Sequence, residues 1–232
     1  TPERSSAASD VYKRQDITFK AECLQETGSF KLRGASSAIS LLSKEEKSRG
    51  VVAFSSGNHA QGIAYASREL GTSAKIVMPS DAPKIKIWKT QEYGAEVIFY
   101  ERDEDNREEI GFSIAKEEGR KLIKPFDDLN VIYGQGTAAL EVMDEVDTKF
   151  DMSVVCCSGG GLAAGTGIVL KNSLSDCQLY TAEPKDWNDH EKSFLQNNIV
   201  SIKTKKHGMC DALENPQPGE ITFRINSALN TK

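Results

Sequence analysis

Hydrophobic and polar residues alternate along the chain with two different periods from Asp16 to about residue 184. Short β-branched, apolar runs predict buried strands, and the longer segments between them repeat apolar residues every three or four positions, as helices do. In the segment 57–70, for example, Ile63, Ala66 and Leu70 fall on one helical face. This alternation predicts an open α/β architecture with parallel sheets flanked by helices. The predicted strands are 51–56, 74–79, 95–100, 152–157 and 178–184, and the predicted helices are 57–70, 84–94, 106–119, 137–146 and 162–172.

The composition is that of a soluble globular protein and argues against a nucleic-acid or membrane partner. The 232 residues carry a net charge of −5, and the pI is about 5.4. No apolar run approaches the ~20 residues that a membrane helix needs. The 5 cysteines are an odd number without a Cys-x-x-Cys pair. We therefore expect free buried thiols in a reducing compartment, with the cytoplasm as the location.

A glycine-rich turn follows the predicted strand 152–157 and opens the next predicted helix. The N–H groups at a helix start suit a phosphate, and glycines let the backbone approach it. The turn is not a nucleoside-triphosphate loop, because no Lys-Ser or Lys-Thr follows it. Gly159, Gly161 and Ala164 fit G-x-G-x-x-A, and Glu183 stands where a nicotinamide enzyme places its ribose-binding acid. The turn alone does not identify its ligand, which could be a dinucleotide or another phosphate compound. The glycines could also serve only the tight packing of strand against helix.

Lys31 stands in a crowded, apolar stretch, between Phe30 and Leu32 and among small residues at positions 28, 29, 34 and 35. Such surroundings lower the pKa of an amine and make it nucleophilic, so that it can form a Schiff base with an aldehyde. Taken alone, Lys31 could also be an ordinary lysine at a helix start, with its amine extended into solvent. A second turn, residues 55–62, offers helix N–H groups to a carboxylate. The alternative is that Asn58 only caps the helix and that His59 is an ordinary helix residue, with no ligand bound to either. A lysine with two separate anion sites fits pyridoxal phosphate (PLP) and an amino acid.

Seven motifs occur in the order seen in the serine/threonine dehydratase and serine racemase family, which this sequence resembles from Asp16 to about Asn226. Members of that family are PLP enzymes of the tryptophan synthase β-subunit fold. The resemblance implies two domains of open twisted sheets flanked by helices, a small domain over 47–130 and a large cofactor-binding domain over 16–46 and 131–232. The motifs are TGSFKLRGA, SSGNHAQG, MPSDAP, YGAEVI, GQGTAALEV, SGGGLAAG and AEP.

The resemblance also implies roles for individual residues. Lys31 would carry PLP covalently and move the substrate α-proton, Phe30 would contact the cofactor, and Asn58 would bind the pyridine hydroxyl. The N–H groups that would hold the phosphate are those of Ser158, Gly159, Gly160, Gly161 and Leu162. The residues that would bind the substrate carboxylate are Ser55, Ser56, Asn58 and His59.

The implied reaction is loss of water from L-threonine or L-serine, followed by hydrolysis to a 2-oxo acid and ammonia. The alternatives are a serine racemase or a 3-hydroxyaspartate ammonia-lyase. Ser56 would be the proton donor opposite Lys31 in a racemase, or it would only line the carboxylate site. By the same resemblance Arg107 would reach the substrate side chain, unless it is simply a solvent-exposed arginine at a helix start.

The segment after the strand 178–184 resembles the family's divalent-cation loop. By this match Glu183, the carbonyl of Trp187 and Asp189 would bind Mg²⁺ or Ca²⁺, since these hard ions prefer oxygen ligands. The alternative is that Glu183 and Asp189 are ordinary acidic residues at a strand end and a helix start and bind no metal.

Both ends of the chain depart from the family pattern. Residues 5–15, SSAASDVYKRQ, resemble a translated sequencing adapter, so we expect 1–15 to be an artefact without regular structure. The chain also stops before the family's second SGGN-type segment, so the large domain is expected to be truncated at its C-terminus. This polypeptide is therefore predicted to be poorly folded and inactive, whereas a full-length form would be a homo-oligomer, a dimer or tetramer.

Overall fold

The computed structural model describes residues 6–10, 15–55, 57–102, 104–146, 149–204, 208–229 and 231. Its strands are β1 (Ser6–Asp10), β2 (Gln15–Phe19), β3 (Val51–Phe54), β4 (Ala74–Pro79), β5 (Glu96–Tyr100), β6 (Lys121–Leu122), β7 (Met152–Cys156) and β8 (Gln178–Ala182). Its α-helices are α1 (Lys31–Ser40), α2 (Lys44–Arg49), α3 (Asn58–Glu69), α4 (Lys84–Glu92), α5 (Arg107–Glu118), α6 (Leu129–Glu145), α7 (Gly161–Ser173), α8 (Asp189–Gln196) and α9 (Glu220–Ala228).

A parallel four-stranded sheet in the order β5-β4-β3-β6 forms the first half of the molecule. Both of its faces are buried, which is why β3 reads as a continuous apolar run rather than an alternating one. Val51 and Ala53 pack into a core with residues of α1 and α3. Val52 and Phe54 pack on the opposite face, beneath α5. The α/β class predicted from the sequence is confirmed.

A second parallel pair, β7 with β8, runs in register from Met152 opposite Gln178 to Cys156 opposite Ala182. The four-stranded sheet lies inside 47–130 and this pair inside 131–232, while the division into two domains stays a prediction. Among the described residues, no helix is long and apolar enough to cross a membrane.

The predicted boundaries of strands and helices agree with the structure within two residues, with helix α6 as the exception. The sequence predicted a helix over 137–146 that begins at Thr137, and this start is wrong. Helix α6 begins at Leu129, because the Asp128 carboxylate accepts hydrogen bonds from the N–H groups of Asn130 (2.8 Å) and Val131 (3.2 Å).

The glycines of α6 are packing positions rather than helix breakers. A Cβ on Gly134 would lie 2.5 Å from the Arg33 carbonyl oxygen of α1. A Cβ on Gly136 would lie 2.9 Å from the Gly165 carbonyl oxygen of α7. Helices α1, α6 and α7 therefore pack closely, backbone against backbone.

Two further expectations differ from the structure. Residues 1–15 were expected to lack regular structure, but Ser6–Asp10 form β1, antiparallel to β2 with Ser6 opposite Phe19. The five thiols are free, as expected, and Cys157 is buried, but the prediction that all are buried is wrong for Cys23, Cys156 and Cys210, which are exposed. Cys156 is exposed because it ends a strand whose burial alternates along its length.

Candidate active site

Lys31 is the first residue of α1, and its amine points into the protein. Its Nζ donates a hydrogen bond of 2.6 Å to the Pro125 carbonyl oxygen. The same nitrogen lies 5.2 Å from the ring centroid of Phe30 and 6.0 Å from that of Phe126. Burial lowers the pKa of the amine to about 8, and the nearby Cys156 thiol opposes this more weakly. A substantial fraction of the amine is therefore neutral near physiological pH and available as a nucleophile.

Helix α3, which begins at Asn58, packs against the start of α1. A Cβ on Gly62 would lie 3.1 Å from the backbone carbonyl of Lys31, so α3 and the start of α1 touch at this point. Asn58 is one helical turn before Gly62 and lies on the same face. The Gly57 N–H donates to Ser55 Oγ at 3.2 Å. Ser56, predicted to act in catalysis and carboxylate binding, lies outside the described residues.

His59 is buried, and its Nε2 lies 3.1 Å from the Ile123 carbonyl oxygen. Burial and, secondarily, the charge of Lys31 lower the pKa of the imidazole to about 3. The ring is therefore neutral at physiological pH and does not offer a positive charge to a carboxylate. Any contact of His59 with an anion would use its backbone N–H near the start of α3.

The glycine turn leads from β7 into α7, whose first N–H groups have no acceptor within the helix. Gly160 has a φ of 90°, in the left-handed region that favours glycine. A Cβ on Gly160 would lie 2.6 Å from Cε1 of His190, and a Cβ on Gly159 would overlap the ring of Phe126. Glycine at these positions therefore lets the turn pack closely against His190 and Phe126. That Ser158, Gly159, Gly160, Gly161 and Leu162 bind a phosphate stays a prediction.

Two side chains from α9 hold the glycine turn in place, and neither was predicted from the sequence. Thr222 Oγ1 donates to the Gly159 carbonyl oxygen at 2.6 Å, and Asn226 Nδ2 donates to that of Gly160 at 3.2 Å. Both side chains are fully buried. No motif pointed to them, because they are 63 and 66 residues away in sequence from the carbonyls that they bind.

One segment, residues 123–126, touches each part of this candidate active site. Ile123 contacts the ring of His59 and Pro125 accepts the hydrogen bond from Lys31. Phe126 packs against Gly159 and lies near the Lys31 amine. The reactive amine and the anion site are thus separated by about one aromatic ring.

Several buried polar atoms near Lys31 lack a partner among the described residues. They are Thr27 Oγ1, Ser29 Oγ and His59 Nδ1. Buried polar groups are normally hydrogen-bonded, so unmatched ones beside a reactive amine indicate where a polar ligand would bind. The arrangement fits a molecule that has a carbonyl for Lys31 and an anionic group for the glycine turn.

The predicted metal ligands are only partly arranged for a cation. Glu183 accepts hydrogen bonds of 3.0 Å from the N–H groups of His190 and Glu191, so its carboxylate caps the start of α8. Asp189 is fully buried, and neither carboxylate oxygen has a hydrogen-bond partner among the described residues. Burial and, next, the Glu183 carboxylate raise the pKa of Asp189 to about 8. Within the described part of the chain no three His, Cys, Asp or Glu side chains form a metal site, so a cation here would need carbonyl and water ligands.

Arg107, considered for the substrate side chain, begins α5 close to the end of β3. Its guanidinium carbon lies 5.7 Å from the ring centroid of Phe54, the residue before Ser55. Arg107 is thus near the turn at 55–58, although no described contact shows what it binds.

Several known enzymes are similar to this chain in sequence and structure. A serine racemase of Schizosaccharomyces pombe is 40% identical over 97% of this chain and 69% of its own length. An L-threo-3-hydroxyaspartate ammonia-lyase of Saccharomyces cerevisiae is 44% identical over 90% of this chain and 64% of its own. The structure of threonine deaminase isoform 2 from Solanum lycopersicum superimposes with a TM-score of 0.85 at 34% identity, covering 90% of this chain and 61% of that one. The chain thus spans about two thirds of the length of these relatives.

The family model for a pyridoxal-phosphate dependent enzyme matches residues 1–231, including the adapter-like stretch 5–15. This match decides against the nicotinamide interpretation of Gly159, Gly161, Ala164 and Glu183. The chain belongs to the family of pyridoxal-phosphate dependent enzymes.

Proposed function

We propose that the enzyme binds PLP through Lys31 and removes water from a small L-β-hydroxy amino acid, L-threonine or L-serine, after which hydrolysis of the dehydrated product gives a 2-oxo acid and ammonia. The observation that carries this proposal is the buried Lys31 amine, which lies one aromatic ring away from the glycine turn. The relatives support the reaction class, since an ammonia-lyase and a threonine deaminase are among them.

The chemistry that PLP supplies when bound is a sink for the electrons left at the substrate α-carbon. Lys31 Nζ takes the α-proton, a role suited to an amine whose pKa is lowered to about 8. The carbonyl of Pro125, hydrogen-bonded to Nζ, orients the amine. The N–H groups of residues 158–162 hold the cofactor phosphate, and Asn58 contacts the ring hydroxyl.

The turn at 55–58 orients the substrate. Its serine hydroxyls and the N–H groups at the start of α3 bind the α-carboxylate, so that the α-hydrogen faces Lys31. His59 remains neutral beneath this turn and supports it through Ile123.

Racemisation of serine is the second candidate, and the serine racemase relative favours it. In this reaction Ser56 would return a proton to the α-carbon from the face opposite Lys31. Elimination and racemisation share the first proton transfer, so one active site can support both.

We also propose that Glu183, the Trp187 carbonyl and Asp189 bind Mg²⁺ or Ca²⁺. The support is the fully buried Asp189 carboxylate without a partner beside a second carboxylate. A divalent cation there would displace the proton from Asp189, balance the charge of both carboxylates and stabilise the start of α8, behind the glycine turn.

The proposal is tested with the PLP-loaded, full-length enzyme and L-threonine, L-serine and L-threo-3-hydroxyaspartate as separate substrates. We expect ammonia and 2-oxo acid in equal amounts from at least one substrate, and no product from a Lys31→Ala variant. D-serine is measured in the same reactions by chiral chromatography. Absence of ammonia, 2-oxo acid and D-serine from all three substrates would reject the proposed function.

A further inference from the structure

The peptide bond between Gly159 and Gly160 lies just before α7, where the helix does not fix its orientation. The first carbonyl that α7 holds is that of Gly160, which accepts a hydrogen bond of 2.9 Å from the Ala164 N–H. The preceding peptide joins two glycines, and Gly160 has a φ of 90°. Because glycine tolerates many backbone conformations, neither residue restricts how this peptide turns. Its orientation therefore depends on a contact from outside the turn.

That contact comes from the start of helix α9. The Gly159 carbonyl oxygen accepts hydrogen bonds from the Thr222 hydroxyl at 2.6 Å and from the Gly219 N–H at 3.3 Å. The Thr222 hydroxyl also lies 3.1 Å from the Gly219 carbonyl oxygen, but it has one proton, which goes to the nearer Gly159 oxygen. Thr222 is fully buried, so solvent does not compete for its hydroxyl.

Helix α9 is itself attached to the segment that contacts the reactive amine. The Asp127 carboxylate caps α9, because it accepts hydrogen bonds of 2.8 and 3.3 Å from two N–H groups at the start of the helix. Two residues before Asp127, the Pro125 carbonyl accepts the hydrogen bond from Lys31. The position of the Thr222 hydroxyl is therefore linked to that of the Lys31 amine.

The hydrogen bond from Thr222 decides which way the next N–H points. In a trans peptide the carbonyl oxygen of one residue and the N–H of the following residue point in opposite directions. Since the Gly159 carbonyl points at α9, the Gly160 N–H points away from α9. This N–H is one of those assigned above to the cofactor phosphate. If the peptide rotated, it would present a carbonyl oxygen, which repels an anion, in place of an N–H, which attracts it.

We propose that Thr222 is a positioning residue for the cofactor phosphate. It holds the peptide between Gly159 and Gly160 so that the Gly160 N–H faces the phosphate, and in this way it sets the preference for PLP over unphosphorylated pyridoxal. This inference rests on the proposed placement of PLP and goes beyond it, because Thr222 acts through the turn and not on the cofactor itself. Thr222 takes no part in proton transfer.

The experiment compares the affinities of the full-length apoenzyme for PLP and for pyridoxal by absorbance titration. Thr222→Ala should weaken PLP binding about tenfold or more, because a well-oriented hydrogen bond to a charged group is lost. The same variant should change pyridoxal binding less than about twofold, since pyridoxal has an aldehyde for Lys31 but no phosphate. Thr222→Ser keeps the hydroxyl and should restore most of the preference for PLP.

Thr90→Ala is the matched control. Thr90 is also fully buried, and its hydroxyl donates at 2.8 Å to the Lys86 carbonyl oxygen one turn earlier in α4. Its replacement should lower the melting temperature but leave the ratio of the two affinities unchanged. Asn226→Ala should change this ratio less than Thr222→Ala does, because the Gly160 carbonyl that Asn226 binds is already held by α7.

The proposal is overturned if Thr222→Ala weakens the binding of PLP and pyridoxal by the same factor, as a merely structural role would. It is also overturned if Thr90→Ala or Asn226→Ala changes the ratio as much as Thr222→Ala does. If Thr222→Ala is too unstable to titrate, Thr222→Cys provides the same test with the same criteria, because a thiol is a weak donor of similar size. These results differ from failure of the proposed function, in which the unsubstituted enzyme binds PLP but converts no hydroxy-amino acid.

Discussion

Replacement of Lys31 by methionine should abolish activity and at the same time stabilise the protein without PLP. Burial is the main reason that the pKa of this amine falls from its ordinary value of 10.5 to about 8. The folded chain therefore binds the proton of the Lys31 amine less tightly than the unfolded chain does. This difference lowers the free energy of unfolding at every pH at which the amine is charged. Methionine fills a similar volume without a charge.

The size of the effect follows from the pKa. The pKa of Lys31 falls from 10.5 to about 8. At about 1.4 kcal/mol for each tenfold change in proton affinity, this fall lowers the free energy of unfolding by roughly 3 kcal/mol. Loss of the hydrogen bond to the Pro125 carbonyl opposes this by about 1 kcal/mol. We expect the free energy of unfolding of the apoprotein to rise by about 2 kcal/mol at pH 7.

The sign of the pH dependence is fixed by the same linkage. Well below pH 8 both folded and unfolded chains carry the proton, so the penalty is fully present there. Between pH 8 and 10.5 only the unfolded chain carries it, so the unsubstituted protein gains stability as the pH rises. The advantage of Lys31→Met should therefore shrink across this interval.

Urea titrations of the full-length apoproteins at several values from pH 7 to pH 9.5 measure this effect. Lys84→Met is the matched control, because it removes an exposed lysine and should change the free energy of unfolding by less than about 0.5 kcal/mol. The reasoning is refuted if Lys31→Met is no more stable than the unsubstituted protein at pH 7, or if its advantage is constant up to pH 9.5.

Three further substitutions test other parts of the site. Gly160→Ala should weaken PLP binding about tenfold or more in an absorbance titration, because Gly160 has a φ of 90° and faces His190. Gly94→Ala is the control, since Gly94 has a φ of 88° and a Cβ there would meet no atom within 4 Å. Equal losses of PLP binding in both variants would contradict the assignment. Mg²⁺ or Ca²⁺ should raise the melting temperature of the unsubstituted protein but not of Asp189→Asn, and the metal assignment fails if neither ion has an effect or if both proteins respond equally. Ser56→Ala should lose D-serine formation while it retains ammonia release, whereas an undiminished racemisation rate would exclude Ser56 as the proton donor.

The sequence predicted the fold class and most elements because buried strands and amphipathic helices leave periodic patterns. It failed at α6, where Gly134 and Gly136 look like breakers but serve close contacts with α1 and α7. Sequence periodicity cannot distinguish a glycine that ends a helix from one that lets a neighbouring backbone approach. The capping residue Asp128 was the local signal that could have identified the true start.

The candidate site was predicted where chemistry is concentrated in short motifs, as at Lys31 and the glycine turn. It was missed where residues far apart in sequence meet, as with Thr222 and Asn226 behind the turn. These contacts are made by ordinary polar side chains whose role depends on tertiary placement alone.

The central claim is that Lys31 carries the cofactor, and borohydride reduction followed by peptide mass analysis tests it most directly. Reduction of the PLP-loaded, full-length enzyme should fix a pyridoxyl group on the peptide that contains Lys31, and Lys31→Met should take up none. A pyridoxyl group on another lysine, or none on the unsubstituted enzyme, would contradict the account.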